Sequence, residues 1–198
     1  LFCHGNAGNI SFLLDTIRLY HDLKLNVLVF DYRGFGRSGG KPLEEGTYRD
    51  VAAAWKYLVH SKKIDPGTIV VIGRSLGGPI AAWLCQTRRP GALVLESTFT
   101  RAADVARYHY QLAPADLIFG DTYNTAGFLS RIGCPVLVVH SPDDEIIPYE
   151  LGQALFKSVK GTKEFLQIHG SHNSGFMDSL NLYVPGLERF LGRHLKRS

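Results

Sequence analysis

Three short stretches of this 198-residue chain carry side chains that could do chemistry together. "GRSLGG" sets Ser75 between Gly73 and Gly77, directly after the apolar run "IVVI" and ahead of helix-forming residues. "VVHSPDDEIIP" brings Asp143, Asp144 and Glu145, and "QIHGSHNSGF" brings His169 and His172, each after a further apolar run. A serine hydroxyl attacks poorly until a base takes its proton, and the base needs an orienting carboxylate. A tight strand-to-helix turn exposes the residue at its apex, while its flanks lie against neighbouring chain and have little room for a Cβ. Backbone N–H groups at the start of the following helix, with the helix dipole, can stabilise negative charge there. A nucleophile beside such donors is what acyl transfer requires. The competing reading is a glycine turn that merely packs. Phosphate binding fits less well, because no Gly-Lys-Ser/Thr follows here or in "HGNAGN".

The elements that must position these groups can be read from periodicity. Leu1 to His4, Leu25 to Phe30, Thr68 to Ile72, Leu93 to Leu95, Val136 to His140 and Glu164 to Ile168 read as strands. Helical spacing recurs at Ile10, Leu13, Leu14 and Ile17 behind a candidate Asn9 cap, and over Thr47–Val59, Pro79–Arg88 and Leu151–Val159. A last helix is expected to start near Pro185, which suits a first helical position. Strand and helix alternate, which predicts an α/β chain: a mainly parallel sheet with helices on both faces, in one domain over 1–198. Residues 97–131 break the rhythm with Phe99, Tyr108, Tyr110, Phe119, Tyr123 and Phe128, as lids and binding elements do.

In open parallel sheets, ligands bind beyond the carboxyl ends of the strands. Ser75, the acidic cluster and the two histidines each follow such an end. They also come in the order Ser, acid, His that serine hydrolases of this architecture use. On the residues alone, Asp143 or Glu96 could replace Asp144 as the acid, and His169 could replace His172 as the base. His169 and His172 suggest no third metal ligand. Ser38, in "GFGRSGG", reads as a structural turn, and His4 and His140 read as structural residues beside strand ends.

The sequence resembles the α/β-hydrolase superfamily. Within it the chain is similar to small-lidded serine hydrolases described as serine aminopeptidase-like or prolyl-oligopeptidase-related. The stretches that carry the resemblance are "HGNAGN", "DYRGFGRSGG", "GRSLGG", "LESTFT", "CPVLVVHSPDDEIIP" and "GSHN". The resemblance implies Ser75 as nucleophile, Asp144 as acid (four residues before Pro148) and His172 as base. It further implies an oxyanion hole made by the backbone N–H groups of Asn6 and Leu76. Two departures stand out. His140-Ser141 replaces the family's usual His-Gly, and the strands that normally precede "HGN" are expected to be missing from this chain.

Composition narrows the alternatives. Lys and Arg number 22 against 18 Asp and Glu, scattered except for a tail from Arg193 to Arg197, which argues against a nucleic-acid partner. Three cysteines far apart make no disulfide framework, so a cytoplasmic location is expected. No apolar run approaches the roughly 20 residues of a membrane span. Membrane association through a missing N-terminal segment stays open. The resulting expectation is a cofactor-independent serine hydrolase. Its substrates are carboxylic esters or thioesters of apolar acyl groups, small molecules or a lipid-modified protein, as the family's depalmitoylases imply. Phe99, Tyr108, Phe119 and Tyr123 are the candidate substrate-binding residues. A peptidase releasing N-terminal residues, with Asp104, Asp116 or Asp121 holding the ammonium, and a non-catalytic binding module are the alternatives.

Overall fold

The computed structural model describes residues 1–112 and 114–195; Lys196 and Arg197 of the basic tail lie outside the described residues. Among these residues β1 (Phe2–Cys3), β2 (Val70–Arg74), β3 (Ala92–Glu96), β4 (Val136–His140) and β5 (Lys163–Gln167) pair in that order. Every neighbour pair in this sheet is parallel, so all five strands end on the same edge. Parallel neighbours need crossovers, and helices α3 (Gly77–Thr87) and α7 (Tyr149–Ser158) supply those after β2 and β4. Helices α1 (Leu14–Asp22) and α2 (Glu44–Lys56) lie between β1 and β2. The short helices α4 (Ala102–His109), α5 (Ala115–Phe119) and α6 (Thr125–Leu129) follow β3. Then α8 (Gly175–Asp178) and α9 (Leu180–His194) follow β5.

Alternate residues of each strand enter opposite cores, as the pleat requires. Val71, Leu93, Leu95 and Val138 pack with Val51 and Trp55 of α2 and with Ile80 and Leu84 of α3. Ile72, Val94, Leu137 and Val139 pack with Tyr20 of α1 and with Tyr183, Leu187 and Phe190 of α9. The central strands are thus covered on both faces, which is why they read as unbroken apolar runs.

Three expectations are corrected. Residues 25–30 do not form a strand: only Val29 bridges Phe2, with one further bond from the Phe2 N–H to the Leu28 carbonyl (2.9 Å). β1 is two residues long and offers no longer ladder, and the segment is only half-buried, between cavities of about 830 and 1100 Å³. The Ile10–Ile17 spacing makes a 3₁₀ turn capped by Asn9 and then α1, yet Ile10, Phe12 and Leu14 are exposed rather than packed. Finally, α9 begins at Leu180 and holds Pro185 inside it. A proline in a helix interior costs about 3 kcal/mol. Here the earlier start brings Tyr183 into the core, fully buried, where its hydroxyl meets Glu96 and Tyr20.

The joint between β2 and α3 leaves no room for a side chain at its flanking glycines. A Cβ on Gly73 would overlap the Gly77 carbonyl, and one on Gly77 would overlap the carbonyls of Cys3 and His4. Gly77→Ala should therefore push β1 and α3 apart and lower unfolding stability by about 1–3 kcal/mol, as overpacking does. Urea unfolding measures it, and an unchanged midpoint would show that the joint has slack.

Candidate active site

Ser75 leaves β2 in a left-handed backbone conformation, φ +52°, unusual for a residue with a side chain. Its N–H donates to the Glu96 carbonyl (3.0 Å). Its carbonyl accepts from the Gly78 N–H (2.9 Å) and from the Thr98 hydroxyl (2.7 Å). These bonds join the ends of β2 and β3 to the start of α3. Gly5 packs beside the serine: a Cβ there would lie 3.3 Å from Ser75 Cβ. Neighbouring β1 and β2 thus bring Gly5-Asn6 and Ser75-Leu76 to one spot, with Ser75 and Leu76 half-buried and Asn6 exposed.

The loops after β4 and β5 meet this spot from the other side. His172 Nε2 lies 3.0 Å from Ser75 Oγ, and His172 Nδ1 lies 3.0 and 2.9 Å from the two carboxylate oxygens of Asp144. The Asp144 side chain is fully buried, and its Oδ1 also accepts from the N–H groups of Ile146 (3.0 Å) and Ile147 (2.8 Å). Burial pushes this carboxyl up. The His172 hydrogen bond and the two backbone donors outweigh that and hold it below the ordinary aspartate value. An ionised acid behind a hydrogen-bonded imidazole and a hydroxyl is a proton-transfer chain. His140 lies behind the acid, fully buried, with Nε2 3.0 Å from the Ile147 carbonyl and 3.5 Å from Asp144. Burial holds His140 below the usual imidazole value, so it is neutral at pH 7 and donates from Nε2 to the Ile147 carbonyl.

The acids left open by the sequence fall into distinct places. Asp143 accepts from the Gly170 N–H (3.1 Å), and Glu145 accepts from the His172 N–H (3.0 Å). Glu96, a possible acid from the sequence, pairs with Arg74 (2.9 Å) and with the hydroxyls of Tyr20 and Tyr183. The guanidinium of Arg74 also stacks over the Phe176 ring at 3.6 Å. His169 lies 3.7 Å from Asp143, in the loop leading to His172. Ser38 donates to the Asp31 carbonyl (2.9 Å) inside its own turn.

The candidate substrate residues do not share one environment. Phe99 is buried just after Thr98; Tyr108 and Phe119 are exposed on α4 and α5. Tyr123 faces α2: its N–H donates to Glu44 (2.7 Å), its hydroxyl lies 3.3 Å from Thr47, and its ring packs edge-on to Tyr48. Among the described residues no group of three or more His, Cys, Asp or Glu could hold a metal ion.

Sequence reasoning missed the braces around the site. Arg74 and Glu96 end adjacent strands in the same register, so two charges closing the apolar runs "VVIGR" and "ALVLE" were a readable signal. Asp31 accepts from the Ile10 N–H (2.9 Å) and lies 3.6 Å from His4, while the Tyr32 hydroxyl donates to the His4 carbonyl (3.0 Å). These bonds secure the "HGNAGN" loop from the "DYRGFGRS" loop, two segments whose contact depends on the tertiary fold.

A parallel sheet carrying Ser75, Asp144 and His172 on its carboxyl edge has the architecture of a hydrolase fold. Residues 1–114 match the family described as "alpha/beta hydrolase fold", and the chain belongs to that family. An uncharacterized protein of Mycobacterium tuberculosis H37Rv is 35% identical over 192 residues, covering 96% of this chain and 68% of that protein. Human alpha/beta hydrolase domain-containing protein 17B is 31% identical over 205 residues, covering 98% of this chain and 66% of that protein. The chain thus spans about two thirds of the length of these relatives. The structure of the Pyrococcus furiosus esterase Pf2001 superposes with a TM-score of 0.82 at 20% identity, covering 98% of this chain and 81% of that one, a likeness of fold. Family membership supports hydrolase chemistry.

Two outcomes follow from this geometry. Asp144→Asn should cut turnover by up to about 10⁴, because the imidazole loses its orienting charge, while Asp143→Asn should cost far less. Steady-state kinetics decides, and a reversed order would move the acid to Asp143. The second concerns pH. Burial holds both His4 and His140 below the usual value of 6.5, so the unfolded chain takes up protons that the folded one refuses. Stability should fall as pH drops below about 6.5. The Asp144 contribution persists to lower pH, since it is lost only as pH falls through a folded value below 3.8. Urea midpoints at pH 7.5 and 5.5 test this, with His140→Gln removing part of the fall; equal midpoints would overturn it.

Proposed function

We propose that this protein is a serine hydrolase that cleaves carboxylic esters or thioesters of apolar acyl groups through an acyl-enzyme, without a cofactor. The observation that carries the proposal is the unbroken contact from Asp144 through His172 to a half-buried Ser75 in left-handed conformation. In this reading Asp144 accepts from Nδ1–H, which leaves Nε2 free to take the Ser75 proton. Oγ bonds to the substrate carbonyl carbon, and the negative charge on its oxygen meets the N–H groups of Asn6 and Leu76. The C–O or C–S bond then breaks, and His172 passes its proton to the departing alcohol or thiol. Water then adds to the acyl carbon, giving its proton to His172, and as the Oγ–acyl bond breaks His172 returns that proton to Ser75 while the carboxylic acid leaves.

The charges on the 97–131 segment, read here as a lid, favour an apolar substrate over a free amino terminus. An aminopeptidase needs an available carboxylate for the ammonium. Asp104 is held by Thr100, Arg101 and Arg107, Asp116 pairs with Arg107, and Asp121 lies 3.7 Å from Arg101. The exposed side chains Tyr108, Tyr110, Leu112, Leu117, Ile118 and Phe119 give the same segment an apolar surface. The binding-module alternative leaves a buried acid and base in line with a half-buried hydroxyl without a purpose. Substrates are thus small apolar esters or an acylated protein. Among the described residues no helix is long and apolar enough to cross a membrane.

Ser75→Ala should abolish labelling by a fluorophosphonate probe and cost on the order of 10⁶ in turnover. Labelling that survives the substitution would remove Ser75 from the role. The acyl preference is tested with p-nitrophenyl esters and acyl thioesters of rising length. Each buried CH₂ is worth about 0.8 kcal/mol, so kcat/KM should climb several-fold per methylene pair until the site is full. Tyr108→Ala and Phe119→Ala should flatten or shift that maximum, and Tyr123→Phe, which loses only the Thr47 contact, should not. A profile falling from acetate onward in every variant would favour small esters or aminoacyl substrates.

A further inference from the structure

The sequence offers three consecutive carboxylates, and each reaches the loop after β5 at a different atom. Asp143 takes the Gly170 N–H, Asp144 takes the His172 imidazole, and Glu145 takes the His172 backbone N–H at 3.0 Å. We propose that Glu145 is a positioning residue for His172, gripping its main chain while Asp144 grips its ring. The inference rests on His172 being the base of the proposed hydrolase.

The physical reason is the freedom that one contact leaves. An imidazole held only through Nδ1 can keep that bond while its backbone shifts, and Nε2 then swings away from Ser75. Two anchors on one residue, from adjacent positions 144 and 145, remove that freedom. The loop needs such help, because its other ties run elsewhere. The His169 N–H and carbonyl both bond the Ser179 hydroxyl, and the Gly175 N–H bonds the Ser171 carbonyl. Among the described bonds, those from Asp143 and Glu145 join this loop's N–H groups to the acid loop across 27 residues. Glu145 is exposed, so its truncation leaves no cavity. A misplacement of the base by a fraction of an ångström to 1 Å is enough to cost rate.

Two variants and two readouts test this. Glu145→Gln keeps an acceptor oxygen, and Glu145→Ala removes it. Glu145→Ala should lower kcat and the rate of fluorophosphonate labelling about tenfold, the low end for a hydrogen bond to a charged group, with KM and melting temperature unchanged. Glu145→Gln should restore most of that loss. Backbone hydrogen exchange over residues 169–174 should accelerate in Glu145→Ala and stay near wild type in Glu145→Gln. Unchanged exchange in Glu145→Ala would overturn the proposal whether or not the protein hydrolyses esters. Faster exchange with unchanged labelling would overturn it too, reducing the contact to loop stability. Wild-type protein that fails to label at all, with exchange responding as expected, would count against the hydrolase reading and leave the grip itself supported.

Discussion

The site depends on a backbone conformation that serine does not favour. Ser75 at φ +52° occupies a region where a side chain costs of order 1–3 kcal/mol. It is held there by bonds from both of its own backbone groups, to Glu96, Gly78 and Thr98, which belong to three different parts of the sheet edge. Those bonds exist only if β2, β3 and α3 come close, and that approach requires glycine at 73, 77 and 78, where a Cβ would overlap neighbouring atoms. The glycines therefore follow from the serine's geometry and not from a general need for flexibility. Relaxing the turn would move Oγ away from His172, so strain and chemical competence are one feature.

The parallel register does the remaining alignment. Because all five strands end on one edge, the loops after β1, β2, β4 and β5 deliver Asn6, Ser75, Asp144 and His172 without any long reach. Fine placement is left to second contacts: the Ile146 and Ile147 N–H groups on Asp144, His140 behind the turn, and the carboxylates that tie the acid loop to the base loop. Most of these use backbone donors, whose positions are fixed once the turn is fixed. Burial of His4 and His140 holds both imidazoles below the usual value, and this is the source of the acid sensitivity predicted for that order.

Much of this was legible in the sequence, for reasons that also mark the limits. Strands buried on both faces write themselves as apolar runs, so β2, β3, β4 and β5 were found within two residues at each end. The serine turn was legible because glycine spacing reports a steric requirement directly. Residues 25–30 looked like the same kind of strand, yet pairing depends on the length of the neighbour, and composition does not record that. Pro185 misled because local propensity placed a helix start where the burial of Tyr183 required helix already. Choosing Asp144 over Asp143 and Glu145 was beyond composition: all three are carboxylates within reach, and only the turn decides which faces the ring.

The contrast between the sheet edge and the 97–131 segment bears on how such a protein acquires a substrate. Ser75, Asp144 and His172 sit just past strand ends and are buried or half-buried, with few alternatives open to them. The segment is built from three short helices: α6 packs into the core through Leu129, while ion pairs among Arg101, Asp104, Arg107 and Asp116, the Arg107–Asp116 pair the most exposed, tie α4 to α5. An exposed pair such as Arg107–Asp116 contributes about 0–1 kcal/mol, so the α4–α5 part of this cover can be rebuilt by substitution at little cost to the fold. Its link to the chemistry is narrow: His109 contacts the Ile146 carbonyl (2.7 Å), two residues beyond Asp144, and Phe99 is buried just after Thr98. Change in the cover can thus alter what is bound while leaving the proton path intact. That division explains why the proposed reaction class is read from the strand ends, whereas the proposed acyl preference rests on a part of the chain whose residues are less constrained.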